Sequence, residues 1–378
     1  MSKRPTPHLD PKIARSWTLP ASAYTDAAVL AREQELIFAR TWQIVGRSEQ
    51  VRAPGDYFCC QVAGRPVLVV RGAKGELRAF YNVCRHRAGP PAEGCGSRKV
   101  FRCGYHGWTY GLDGRLLNAP EMEGAQDFER EDFGLLPVRV EEWSGLIFVN
   151  LSAKMARTAK PLSHFLGEMP AGLARFGFER MRLHARREYR MQCNWKTYID
   201  NYLEGYHLPS VHPSLNRELD YSSYVSETYQ HYSRQWSPIR PAKGAGGTSA
   251  DSERRRYQSA RKGDIADYYW IFPNWMLNCY PDNVSLNIVL PVGVAETVAI
   301  FEWYFPDDVA AETREATVRF SDEIQLEDGA ICEKVQRNLS SGVYQRGRFS
   351  PKQERCVHHF QRMWEEWMGG KEKVKRKK

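Results

Sequence analysis

Two short stretches decide the reading of this chain: Cys84-Arg85-His86 and, after sixteen intervening residues, Cys103-Gly104-Tyr105-His106-Gly107-Trp108. Each supplies one thiol and one imidazole. Two thiolates and two imidazoles suit a [2Fe–2S] centre in which both cysteines hold one iron and both histidines the other. Neutral imidazole leaves less negative charge on such a cluster than thiolate, so electrons are easier to add. Mixed-ligand clusters accordingly work at about −150 to +300 mV, against roughly −400 mV for all-cysteine plant-type clusters. The competing use of the same residues is a tetrahedral zinc site. Zinc fingers usually place a cysteine pair first and a histidine pair second, whereas the order here is Cys-His, Cys-His. Gly94, Gly96 and Gly104 supply tight-turn positions around the loops. Cys95 stands between the two halves and is expected to be a buried free thiol.

The signature resembles that of the Rieske proteins: Cys-x-His, a spacer, then Cys-x-x-His. A cluster domain needs only about a hundred residues, and the 378-residue chain leaves room for a second domain of ordinary size. With 42% hydrophobic and 26% charged residues, the composition is that of a soluble globular protein. No stretch approaches the roughly 18 apolar residues of a membrane span. The basic N-terminus has no apolar run behind it, so no secretory signal is expected. Nine cysteines do not read as a disulfide framework, and a reducing cytoplasm fits them best. Of the net charge of +9, +5 lies in the last eight residues, Lys371 to Lys378. Such a block reads as a solvated tail, and the body shows no nucleic-acid-binding motif.

Hydrophobic periodicity predicts a helix over 26–42, then a β-rich region to about residue 150. Strands are expected at 55–62, 66–71, 77–83 and 146–151, with a hairpin over 108–117 after the second loop. Beyond residue 152 the pattern changes. Helices are expected over 162–176, 195–206 and 310–339, strands over 268–274, 284–291 and 297–305, and a mobile loop over 242–259. The resulting division is an N-terminal helical segment packing on the catalytic domain (1–41), a cluster domain (42–150), a catalytic domain (151–366) and a basic tail (367–378).

A second constellation is Asn201-Tyr202-Leu203-Glu204-Gly205-Tyr206-His207, followed by His212-Pro213. Leu208-Pro209 breaks the helix between the histidines, so a helix end and a turn can aim two imidazoles at one metal. Two surface or capping histidines are the alternative reading.

With Glu204 included, the segment resembles the carboxylate–x–x–His–x4–His stretch of the Rieske non-haem iron oxygenases. The resemblance to their large (α) subunit covers Trp42 to about Trp364. It implies an α+β protein: an N-terminal Rieske β-sandwich and a C-terminal helix-grip domain, an antiparallel sheet around a long helix. It implies a [2Fe–2S] cluster on Cys84, His86, Cys103 and His106, and mononuclear Fe(II) on His207, His212 and a carboxylate, leaving positions open for O2. The run from Gln325 through Asp328 to Gln336 resembles the carboxylate-bearing helix of the family and makes Asp328 the third ligand, with Glu327 and Asp322 as alternatives. Glu204 would then link the two metal sites, touching His207 and, in a homotrimer, His106 of a neighbour. Many ring-dihydroxylating members carry Asp there; Glu is one methylene longer.

Two stretches, Asp200 to His207 and Gln345 to Ser350, resemble choline monooxygenase-like members. They imply hydroxylation or N-demethylation of a small quaternary ammonium compound, with an aromatic ring-hydroxylating dioxygenase or demethylase as the alternative. Cations suit aromatic faces, and Tyr268, Tyr269, Trp270, Trp275, Trp303 and Tyr304 are candidates to supply them. The chain has no Gly-x-Gly-x-x-Gly dinucleotide segment, so electrons from NAD(P)H must arrive through a separate flavin or iron–sulfur reductase. Neither nucleic acid nor membrane is expected as a partner.

Overall fold

The computed structural model describes residues 9–152, 160–240 and 263–369. The chain forms two compact units. One is Gln34–Phe165; the other joins the residues up to Glu33 to those from Leu166 onward. The loop expected at 242–259 and the tail beyond residue 369 lie outside the described residues.

Ten strands run along the first unit: β1 (Gln43–Arg47), β2 (Asp56–Val62), β3 (Arg65–Arg71), β4 (Leu77–Tyr81), β5 (Cys95–Ser97), β6 (Val100–Arg102), β7 (Thr109–Gly111), β8 (Leu116–Asn118), β9 (Pro137–Trp143) and β10 (Leu146–Asn150). Seven of them form one sheet in the order β1-β10-β9-β4-β3-β2-β5, while β6-β7-β8 form a small second sheet. Period-two alternation sorts the residues of β3. Leu68 and Val70 join the core beneath the Cys-His loops. Val67 and Val69 join a separate core with Ile147 and Val149. The first Cys-His loop leaves β4 and the second joins β6 to β7. Cys95 is exposed on β5, not buried as expected. The short strand pairs with β2 and ends the sheet, so among the described residues no further strand lies beside it.

The second unit contains β11 (Arg182–Met191), β12 (Val225–Thr228), β13 (Tyr232–Pro238), β14 (Ile265–Ile271), β15 (Trp275–Tyr280), β16 (Asn283–Gly293) and β17 (Glu296–Phe305). They form one sheet in the order β11-β17-β16-β15-β14-β13-β12, antiparallel at every pairing. The 29-residue helix Ala311–Leu339 follows. Its inward face carries Gln325, Gly329, Cys332 and Gln336 at helical spacing. That face docks partly through polar contacts. Gln336 Oε1 accepts from the backbone N–H of Asn194 at 2.9 Å, and Glu333 Oε1 from that of Gln192 at 3.0 Å. The architecture is the expected α+β class, a cluster domain followed by an antiparallel sheet with a long helix.

Three expected helices end differently. The one expected over 26–42 is an α-helix, Ala27–Glu33, followed by a π-turn, Gln34–Phe38. The one expected over 162–176 splits into Leu162–Leu166 and Met169–Leu173, because Gly167 takes a left-handed φ of 55°. The one expected over 195–206 stops at Tyr202. Its start is fixed by Asn194, whose side chain accepts from the backbone N–H of Lys196 at 3.1 Å.

That helix is anchored by a buried ion pair. Lys196 and Glu33 are both fully buried and 2.6 Å apart. Glu33 also accepts from the indole N–H groups of Trp195 at 2.8 Å and Trp364 at 2.6 Å. Every carboxylate oxygen therefore has a donor, the condition under which burying a charge is tolerated.

Candidate active site and cluster loops

In the first unit the two loops bring their cysteines and histidines together in two pairs. Cys84 and Cys103 are 3% and 2% exposed, whereas His86 and His106 are exposed. The imidazoles lie with ring centroids 4.5 Å apart, and His86 stacks on the buried Trp108 at 5.0 Å with the rings 8° from parallel. Backbone bonds shape the loops: Cys84 N–H donates to Gly89 at 2.9 Å and Cys103 N–H to Trp108 at 2.8 Å. Gly89 is required by close approach, since a Cβ there would lie 2.8 Å from Cys103 Sγ. The Tyr110 hydroxyl sits 3.1 Å from Cys84 Sγ. Burial pushes the Cys103 thiol up, while the backbone N–H groups of Tyr105 and His106 pull it back. Donors aimed at sulfur ease electron uptake by a cluster held there.

A thiolate pair inside and an imidazole pair at the surface fit a two-iron cluster. They do not fit one zinc ion. Four ligands of a tetrahedral ion crowd together, and among the described residues the one group of three or more His, Cys, Asp or Glu with ligand atoms all within 4.8 Å is His207, His212 and Asp328.

That trio lies in the second unit. After Tyr202 the chain leaves its helix through Leu203, Glu204 and Gly205. A side chain at Gly205 would meet the Tyr224 ring at 2.9 Å, so the backbone approaches that ring as closely as only glycine permits. His207 caps the short helix Leu208–Val211, and His212 stands between that helix and Pro213–Glu218. Proline in the first turn of each short helix sets these starts. Asp328 comes from the long helix. His212 Nε2 lies 2.9 Å from Asp328 Oδ1, and His207 Nε2 3.6 Å from the same oxygen. Adjacent ligands of a metal with bonds of about 2.1 Å sit roughly 3 Å apart, so the donor set fits a facial two-histidine, one-carboxylate ion.

Two further carboxylates orient the imidazoles. Glu204 Oε1 lies 2.7 Å from His207 Nδ1, and its Oε2 accepts the His207 backbone N–H at 3.0 Å. Glu327 Oε2 lies 2.6 Å from His212 Nδ1. Each pairing fixes the proton on Nδ1 and leaves Nε2 free as a ligand. Burial opposes protonation of His212, but Asp328 and Glu327 outweigh it and raise its pKa. Glu327, an alternative ligand from sequence, faces the opposite nitrogen of His212 from Asp328. Asp322 is turned away, bonded to Arg187 and Tyr189.

The trio lines a cavity with about 860 Å³ of empty space, its open mouth included. Of the aromatic candidates, Tyr268 and Trp303 line it. Strand alternation turns Tyr269, Trp275 and Tyr304 to other faces. Trp270 shares the face of Tyr268 but packs on Phe360, 5.3 Å away. Tyr198, Tyr202, Tyr224, Tyr280, Phe301 and Phe320 line the cavity, and sequence reading missed them. Among the described residues no Lys or Arg lines it; its acids are Glu204 and Asp328.

Residues 41–129 match the Rieske [2Fe-2S] domain, and residues 178–370 the catalytic domain of the ring hydroxylating alpha subunit. The chain is 35% identical over 365 residues to a chloroplastic choline monooxygenase of Arabidopsis thaliana, covering 93% of this chain and 83% of that protein. It is 29% identical over 333 residues to the carnitine monooxygenase oxygenase subunit of Acinetobacter pittii, covering 87% of each. A solved quaternary ammonium Rieske monooxygenase superposes with a TM-score of 0.82 at 26% identity, over 97% of this chain and 99% of that one.

Proposed function

Because the chain belongs to the α subunits of the Rieske-type ring-hydroxylating oxygenases, we propose that it hydroxylates or N-demethylates a small quaternary ammonium compound. We assign the [2Fe–2S] cluster to Cys84 and Cys103 on one iron and His86 and His106 on the other. We assign the mononuclear Fe(II) to His207, His212 and Asp328. The observation that carries the substrate reading is the cavity: aromatic walls, no described Lys or Arg, and the three assigned iron ligands in its lining. A quaternary ammonium ion has no N–H to donate, so aromatic ring faces are what can hold it.

Ferrous iron in such a set supplies open positions for O2. Glu204 and Glu327 hold the imidazoles by their Nδ1–H groups so that both Nε2 atoms converge. The aromatic walls exclude water and hold the substrate beside the three ligands that line the same cavity. Hydroxylation takes up O2, two electrons and two protons, placing one oxygen atom in product and one in water. The electrons come from NAD(P)H through a separate reductase and enter by the cluster, whose histidines are its exposed ligands. Glu204 fits as the link to a neighbour's His106 in a homotrimer, since it already grips His207. The cytoplasm is the compartment proposed; among the described residues no helix is long and apolar enough to cross a membrane.

The test is turnover with a reductase and a panel of quaternary amines and aromatic acids, scored by product mass. Gain of one oxygen atom, or loss of a methyl group, by a quaternary amine is expected. Turnover confined to aromatic acids would overturn the reading.

A further inference from the structure

We infer that the cavity selects a quaternary ammonium alcohol over a quaternary ammonium carboxylate, and that Asn287 is the residue that reads the hydroxyl. The inference rests on the substrate class proposed above and narrows it. Asn283, Ser285 and Asn287 alternate along β16, so all three face the cavity. The neighbours of this stripe differ along its length. Ser285 pairs across the sheet with Asn278 and Trp303, and Asn287 with Met276 and Phe301.

The polar groups nearby are mostly committed. Asn278 Oδ1 accepts from the Tyr202 hydroxyl at 2.7 Å, Asn283 Nδ2 donates to Asp282 at 2.7 Å, and the hydroxyls of Tyr268 and Tyr280 pair at 3.0 Å. Asn287 is different. It is 1% exposed, and its side-chain oxygen is buried with no hydrogen-bond partner. Buried polar atoms are nearly always paired, and one left unpaired on a cavity wall points to a ligand that completes it.

The chemistry of that ligand follows from the rest of the wall. A carboxylate is negative and only accepts hydrogen bonds. No described Lys or Arg lines the cavity to meet it, and Glu204 adds a negative charge of its own. An alcohol is neutral and can both donate and accept, so it satisfies Asn287 whichever way the amide is turned. Phe301, beside Asn287 across the strands, offers its ring to the ammonium end of the same small molecule.

The experiment measures binding to the intact, iron-loaded, anaerobic protein by calorimetry. The probes are choline; ethyltrimethylammonium, nearly the same size without the hydroxyl; and carnitine and γ-butyrobetaine, which carry a carboxylate. In the wild type, choline is expected to bind roughly 2- to 12-fold tighter than ethyltrimethylammonium, the range of one net hydrogen bond, and tighter than either carboxylate. Asn287→Leu should bring the alcohol-to-alkyl ratio close to one. Asn287→Asp keeps an acceptor oxygen in place and should preserve that ratio. A ratio unchanged in Asn287→Leu, or carboxylates bound as tightly as choline by the wild type, overturns the inference alone. If no quaternary amine binds at all, the proposed substrate class falls and the inference with it.

Discussion

Removing the carboxylate of Glu327 should loosen the mononuclear iron without removing a ligand. His212 is 1% exposed, and its Nδ1 lies 2.6 Å from Glu327 Oε2. In Glu327→Ala that N–H is left buried without an acceptor, a loss of about 1–3 kcal/mol. Loss of an outer partner typically weakens metal binding about 10- to 100-fold, or roughly 1.4–2.7 kcal/mol at 1.36 kcal/mol per decade. The Glu327 side chain is 31% exposed, so water can replace part of its role and the lower end of the range applies. Glu327→Gln keeps an acceptor but not the charge, and should fall between wild type and Glu327→Ala. Asp328→Ala removes a ligand outright and should weaken binding by more than about 100-fold, beyond the outer-partner range. The assay is anaerobic competition for Fe(II) against a chelator, with the visible spectrum of the cluster as internal control. That spectrum should not change, because the cluster's ligands lie in the other unit. If Glu327→Ala loses the iron while Asp328→Ala keeps it, the ligand and its supporting residue have been exchanged and the reasoning fails.

Three further outcomes are expected. Glu33→Gln or Lys196→Met alone leaves a buried, poorly matched partner and should cost about 3–5 kcal/mol of stability by denaturant titration, whereas the double variant should lose less than the sum; strict additivity would refute the pairing. Burial pushes Asp200 up to about 7 from its ordinary 3.8, although the Tyr24 and Gln361 donors and Lys196 pull it down. The folded chain therefore holds a proton that the unfolded chain releases. That contribution is complete below about pH 4 and is lost by about pH 7, so stability relative to Asp200→Asn should fall between about pH 4 and 7 and level off above, and parallel curves would contradict it. Glu204→Gln should leave both metal sites loaded but slow the oxidation of a reduced cluster by O2 and substrate by orders of magnitude; an unchanged rate with normal iron would mean that Glu204 only caps its turn.

The sequence disclosed the parts of this protein that are contiguous. Both Cys-His loops, His207, His212 and the helix bearing Asp328 could be named because their chemistry sits in short runs. What required coordinates was direction. Glu327 and Asp328 are neighbours about 100° apart on a helix, and only the fold shows that one faces His212 Nε2 and the other its Nδ1. The cavity aromatics were half concealed for the same reason. Alternation along a strand gives two faces, and the sequence of β14 or β17 does not say which face holds substrate. The strand β11 was not expected, since its run Arg182–Met191 is dominated by charged residues and lacks an apolar alternation. It is an edge strand, and Arg182, Arg187 and Arg190 are held by Asp307, Asp322 and Glu296, a charged border that discourages further pairing. The break at Gly167 was hidden inside an otherwise helical pattern.

The most direct test of the account is a single turnover without reductase. Protein with its cluster reduced and its mononuclear site ferrous is mixed with 18O2 and choline, and cluster oxidation is followed alongside the product's mass. The cluster should oxidise quickly only with the quaternary amine present, and product oxygen should come from O2 at one atom per molecule. Asp328→Ala should leave the cluster reduced and yield no product. Fast cluster oxidation without product, or product whose new oxygen comes from water, would contradict it.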